Sequence, residues 1–147
     1  MTTVSQVFPN PSAVRLEQLL DGVVTGINTR RQSILDQYSV SELDIRIIVY
    51  LNENDDKKMK EVGEFFNIKL STLTSTIDKL EKNKLVKRKN SKEDRRVIYI
   101  QPTSKGQKLL VDLNNVTRAL AETLVRETND SEYDSVAKAL ETMQRLI

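Results

Sequence analysis

Apolar residues recur every three or four positions along almost the whole chain, and this helical spacing gives way once to strand-like alternation, between residues 85 and 100. Leu85-Val86-Lys87-Arg88-Lys89 and Val97-Ile98-Tyr99-Ile100 read as two short strands. Residues 90–96, Asn-Ser-Lys-Glu-Asp-Arg-Arg, carry no apolar side chain and read as a charged turn between them. Only four Gly and three Pro punctuate 147 residues, so long helices are expected on either side of the hairpin. The expected fold class is mainly α with a small β-hairpin, in a chain of single-domain length.

Pro9 and Pro11 mark an extended N-terminal arm. With Ser12 as its cap, a long first helix is expected over roughly 12–37, its stripe formed by Leu16, Leu20, Val23 and Ile27 and widened by Leu19 and Val24. Gly22 and Gly26 weaken this helix or permit close packing against another. Ser39 with Glu42 forms a capping-box pattern, with Ser41 as a second candidate cap. The second helix then runs to about Leu51 and turns Leu43, Ile47, Ile48 and Leu51 inward. A short helix near 59–66 is expected to bury Val62, Phe65 and Phe66. Asn67 stands where a tight turn needs left-handed backbone, which Asn tolerates. A fourth helix, about 70–82, has Leu70, Leu73, Ile77 and Leu80 on one face, and Asn83 is expected to be left-handed at its end. Thr103 caps a long fifth helix with Leu109, Leu113, Val116, Leu120 and Leu124 inward. In the last helix, starting at Asp130 or Ser131, Tyr133, Val136, Leu140, Met143 and Ile147 form a narrow seam suited to a helix partner.

Charge is unevenly distributed. Residues 57–96 hold thirteen Lys/Arg and six Asp/Glu, while the rest holds ten and fifteen, within a net charge of only +2. Such a segment is either a polyanion-binding surface or a solvated lysine-rich face. Several function classes are excluded more firmly. Without Cys there is no disulfide, thiol sensor, thiolate zinc site or cysteine nucleophile, and without His the usual general base and metal ligand are missing. No glycine-rich phosphate loop or acid pair in an apolar setting points to an enzyme, and no cofactor or metal site is expected. The longest apolar run, Ile47-Ile48-Val49-Tyr50-Leu51, is too short to span a membrane, and residues 1–11 do not resemble a secretory signal. A cytoplasmic location is therefore expected.

Two short helices joined by a tight turn, the second hydroxyl-rich on its open face, make a helix-turn-helix, and the basic hairpin behind it makes a wing. The open face of the second helix carries Ser71, Thr72, Thr74, Ser75, Asp78, Lys79 and Lys82. Short hydroxyl side chains let a helix lie deep in the major groove and still reach base edges and phosphates. Lys69 stands at the helix N-terminus, where unpaired N–H groups already favour phosphate. The wing tip presents Lys92, Arg95 and Arg96 on a loop narrow enough for a minor groove, where the negative potential favours Arg.

Residues 86–106, VKRKNSKEDRRVIYIQPTSKG, resemble the wing and following helix of MarR-type winged-helix transcription regulators, with Asp94, Arg96, Pro102, Thr103 and Gly106 at the motif positions. The upstream stretch STLTSTIDKLEKNKLVKR is similar to the recognition helix of that family running into its first wing strand. The resemblance implies that Ser71, Thr72, Thr74, Ser75 and Lys79 face the major groove and that Arg96, with Arg95 and Lys92, reaches the minor groove. It implies that Asp94 braces the wing, that Asp78 pairs with a wing arginine, and that the terminal helices form a dimer. The chain departs from the family at Lys69, where a small hydroxyl is usual, at Asn67 and Asn83, where Gly is common, at Ser75, often basic, and at Pro102, usually Leu.

The expected organisation is an arm and first dimerisation helix (1–37), a winged helix-turn-helix (39–101) and C-terminal dimerisation helices (103–147) in one compact chain. The expected function is that of a homodimeric, sequence-specific regulator on a pseudo-palindromic DNA operator, acting as a repressor. The resemblance adds a cleft between dimer helices and winged domain, often for small aromatic or phenolic acids, through which an effector tunes affinity. The alternative is a non-regulatory architectural nucleic-acid-binding protein using the same winged helix.

Overall fold

The structure is a computed structural model that describes residues 10–91, 94 and 97–147. The elements run α1 (Pro11–Tyr38), α2 (Glu42–Glu53), β1 (Lys57–Lys58), α3 (Met59–Phe66), α4 (Leu70–Lys82), β2 (Val86–Asn90), β3 (Ile98–Pro102), α5 (Ser104–Glu127) and α6 (Asp130–Leu146). The mainly helical fold with a hairpin is as the sequence predicts. The hairpin is also joined by a third strand that has no sequence signal. β1 is two residues long and pairs with β3, giving an antiparallel sheet of order β1-β3-β2.

One core gathers the C-terminal half of α1, all the winged elements and the first half of α5. Ile47, Ile48, Val62, Leu73, Ile77, Leu80, Leu85 and Leu109 have no solvent exposure, and Leu35, Leu51, Val86, Ile100 and Leu113 join them. Gly106, in the first turn of α5, sits against the connection between α4 and β2. A Cβ there would stand 2.2 Å from the Leu85 carbonyl oxygen, so only glycine permits the contact. Thr103 closes the same corner: its hydroxyl donates to the Lys84 carbonyl at 2.6 Å and accepts from the Gly106 N–H at 3.1 Å.

Several local expectations are corrected. Asn10, not Ser12, caps α1, its side chain accepting from the Ser12 N–H at 2.9 Å. Ser39 ends α1 in left-handed backbone (φ 54°), and Ser41 starts α2 in a reciprocal capping box with Asp44. Because α2 starts there, its buried stripe runs through Asp44 and Ile45 and leaves Leu43 at the rim. Leu70 opens α4 ahead of its first core contact and is exposed. Phe65 is 62% exposed. It stacks on Tyr50 at 4.1 Å between ring centroids, and Phe66 alone of the pair packs against the core. Asn67 is left-handed as expected (φ 51°), but at the end of α4 Asn83 is right-handed and Lys84 takes φ 60°.

Beyond the core the terminal helices keep their apolar faces open. Leu16, Leu19, Val23 and Val24 of α1 are at least half exposed, no residue of α6 is buried, and Leu124 near the end of α5 is exposed. Gly22 and Gly26 meet nothing within 4 Å. No helix among the described residues is long and apolar enough to cross a membrane.

Candidate nucleic-acid interface

The α3–α4 corner is built by backbone chemistry. Asn67 turns the chain, the Ile68 N–H reaches back to the Gly63 carbonyl at 2.9 Å, and a Cβ on Gly63 would stand 3.2 Å from the Ile68 oxygen. Gly63, in the last turn of α3, is a close-approach residue that sequence reasoning missed. Its signal was its place four residues before Asn67 in a Gly-poor chain. Past the corner, Lys69 precedes α4 without any side-chain cap, so the first N–H groups of α4 are left for an external acceptor.

Leu73, Ile77 and Leu80 pin one face of α4 into the core, and this fixes the other face outward. Ser71, Thr72, Thr74 and Ser75 are exposed there, as the sequence predicts for a groove-reading helix. The Thr74 hydroxyl donates to the Leu70 carbonyl at 2.8 Å and the Ser75 hydroxyl to the Ser71 carbonyl at 3.2 Å. With their protons directed into the helix, these oxygens turn lone pairs outward as acceptors.

Two of the α4 residues are engaged inside the protein. The Lys79 ammonium lies 2.6 Å from Asp44, a carboxylate only 2% exposed that also accepts the Ser41 N–H at 2.8 Å. Lys79 thus ties α4 to the start of α2 while its side chain stays half exposed, one turn beyond Ser75. Asp78 lies 2.6 Å from Arg88 of β2, whose other guanidinium nitrogen meets Glu81 at 2.5 Å. Partial burial disfavours the charge of Arg88, but the two carboxylates outweigh it and its pKa is raised. Glu81 also accepts the Arg88 backbone N–H at 3.2 Å. This double clamp locks the hairpin to α4: Asp78 pairs with a wing arginine, as the resemblance implies, and Glu81 is the partner that sequence reasoning missed.

At the hairpin end, the Asp94 N–H donates to the Ser91 hydroxyl at 3.3 Å and the Val97 N–H to the Asp94 carbonyl at 2.9 Å. Lys92, Arg95 and Arg96, named above for the wing tip, lie outside the described residues. Tyr133, Val136, Leu140 and Ile147 of the seam are solvent-facing and Met143 is half-buried. A cavity of about 580 Å³ opens between α1, α2 and α5, with Arg31, Val49, Asn52, Gln107 and Leu110 on its walls. Nearby, the Tyr38 hydroxyl donates to Asp112 of α5 at 2.8 Å. No cluster of metal-ligating residues occurs among the described residues.

A helix-turn-helix whose second helix presents open hydroxyls, with a strand hairpin clamped beside it, defines a winged-helix DNA-binding transcription regulator. Comparison with known proteins agrees. Residues 30–113 match the family described as transcriptional regulator SarA/Rot, and the chain belongs to that MarR-like family. The HTH-type transcriptional regulator YpoP of Bacillus subtilis is 33% identical over 99 residues, covering 67% of this chain and 70% of YpoP. The HTH-type transcriptional regulator BilQ of Clostridioides difficile is 25% identical over 97 residues, 66% of each chain. Among solved structures, the MepR–DNA complex of S. aureus shares the fold with a TM-score of 0.74 at 19% identity, over 88% of this chain and 97% of that one. These relatives are named as transcriptional regulators and not as enzymes.

Proposed function

We propose that the chain acts as a homodimer that binds a pseudo-palindromic operator sequence-specifically, represses from it, and releases it when a small molecule changes the dimer geometry. The observation that carries this reading is the outward hydroxyl face of α4, held in place on one side by Asp44–Lys79 and on the other by Arg88. Ser71, Thr72, Thr74 and Ser75 read the major groove. The outward lone pairs of Thr74 and Ser75 suit the amino groups of adenine and cytosine, and Lys69 with the open α4 N-terminus takes a phosphate. Lys92, Arg95 and Arg96 enter the flanking minor groove. Lys79, predicted as a contact residue, works chiefly by positioning α4. Asp78 braces the wing through Arg88, and Asp94 holds the turn at its tip.

Dimerisation is supported by the exposed stripes of α1 and α6, which a monomer leaves wet. Tyr133, Val136, Leu140, Met143 and Ile147 contribute the α6 share. The fold that the chain has in common with DNA-bound MepR supports the DNA partner. The α1–α2–α5 cavity gives a small effector room, and the aromatic-acid class is what the family resemblance implies. The cavity lies where α1 and α5 join the winged elements, so a ligand there can favour one spacing of the two α4 helices over another.

The test is selection of bound sequences from a random duplex pool with the purified protein. Two inverted half-sites about one helical turn apart, roughly 34–36 Å, are expected. A pool that stays unenriched would remove the regulator reading and leave an architectural one.

A further inference from the structure

The outer face of the wing sheet carries more positive charge than the fold neutralises. In the sheet register, Lys58 of β1 and Lys89 of β2 both stand opposite Tyr99 of β3, and Lys87 stands opposite Gln101. Partners in register share a face, and residues two apart on a strand return to it. Lys58, Lys87, Lys89, Tyr99 and Gln101 therefore form one surface. The opposite surface of the same strands carries Val86, Arg88 and Ile100 toward the core and α4. The contrast in charge pairing is sharp. Arg88 and Lys79 each hold a carboxylate within 2.6 Å. On the outer face, Asp56 reaches Lys89 only at 3.7 Å and also hydrogen-bonds Gln101. Lys58 and Lys87 form no ion pair with any described residue. Gathering lysines on one small sheet works against folding, because like charges side by side repel. A ligand with regularly spaced negative charges would reverse that cost.

We infer that this face is a second DNA surface, which receives phosphates of the operator duplex beyond the wing. The inference rests on the function proposed above. With α4 in the major groove and the hairpin tip in the next minor groove, the inner face of the sheet looks toward α4. Its outer face then looks along the duplex that continues past the site. Flanking DNA bent toward the protein brings its backbone against Lys58, Lys87 and Lys89, and the Tyr99 hydroxyl can donate to a phosphate oxygen between them.

The experiment uses the full chain and an operator obtained by selection, in two lengths: the protected core alone, and the core extended by about fifteen base pairs on each side. Dissociation constants are measured across salt for the wild type and for the triple variant Lys58→Gln, Lys87→Gln, Lys89→Gln. Each lysine that neutralises a phosphate adds roughly 0.9 to the slope of log K against log salt, so two protomers can add at most about five. The expected result is tighter binding and a steeper slope on the extended fragment for the wild type. In the variant most of that gain disappears, while core binding stays within about twofold and shows that the variant is folded. The general effect of longer DNA is common to both proteins, so the difference between them is decisive. A variant that keeps the full gain, or a wild type that shows none, overturns the inference while leaving operator binding intact. Equal losses on both lengths would overturn it too, placing the lysines in the core site. A wild type that binds neither fragment would instead overturn the DNA-binding reading itself.

Discussion

Asp44 shows how a single residue can set a helix used for recognition. It is the one charged residue buried among those described, and its carboxylate is satisfied from two sides, by the Ser41 N–H and by the Lys79 ammonium. Composition and periodicity place Lys79 on an open face, and its partner was not legible because the two lie 35 residues apart in sequence. Replacing Lys79 by Met, which has no donor, is expected to cost about 1–3 kcal/mol of stability, by leaving a buried carboxylate short of a partner. It should weaken operator binding without lowering the salt slope, whereas a lysine on a phosphate would lower it by roughly 0.9. Anisotropy titrations across salt distinguish the two. A second residue gives a pH signature. Hydrogen bonds from Lys108 and Tyr38 hold the Asp112 carboxyl below the usual carboxylate range. A carboxyl depressed by folding stabilises the fold above its unfolded value of about 3.9, and the contribution is lost as pH falls through the folded value. The melting temperature of the wild type should therefore fall more between pH 5 and acid than that of Asp112→Asn, which lacks the group. Parallel curves would mean that the Tyr38–Asp112 link between α1 and α5 contributes nothing.

At the scale of elements, nearly everything with a period was legible. Six helices and the hairpin appear where three-four spacing and alternation put them, because burial of one face is what makes those patterns hold. What had no period was not legible. β1 has two residues, too few to show alternation, and exists because β3 has an edge to offer. Errors of face fell where the helix start was misjudged or where a first-turn residue lies ahead of the core, as at Leu43 and Leu70. Phe65 was misplaced because an aromatic was taken as core, when Tyr50 supplies a surface ring to stack on. The α4–β2 turn was placed one residue early. Its left-handed residue is Lys84, a side chain for which that backbone costs roughly 1–2 kcal/mol. Lys84→Gly should raise stability by about 0.5–1 kcal/mol in urea unfolding, since the strain relieved exceeds the entropy a glycine adds to the unfolded chain. A less stable variant would mean that the lysine side chain has a role beyond the turn.

For the whole molecule, the division of labour follows from which faces are covered. The winged half is closed around its own core. The N-terminal half of α1 and all of α6 are not, and Leu140 is 55% exposed. The apolar stripe of α6 was legible from its three-four spacing, and it lies open in the structure. That the open part of the α1 stripe is its N-terminal half was not, since that depends on which half of the helix the core already uses. Leu140→Glu places a charge in the proposed seam and should shift sedimentation from dimer to monomer, with operator binding weakened at the same protein concentration. A dimeric, fully active variant would relocate the interface.

The pairing of two winged helices on one duplex is tested most directly by a hydroxyl-radical footprint on the selected operator. Two protected patches related by a dyad, with centres about 10–10.5 base pairs apart, are expected at one dimer per site. A single patch without symmetry, or uniform protection along the fragment, would contradict it.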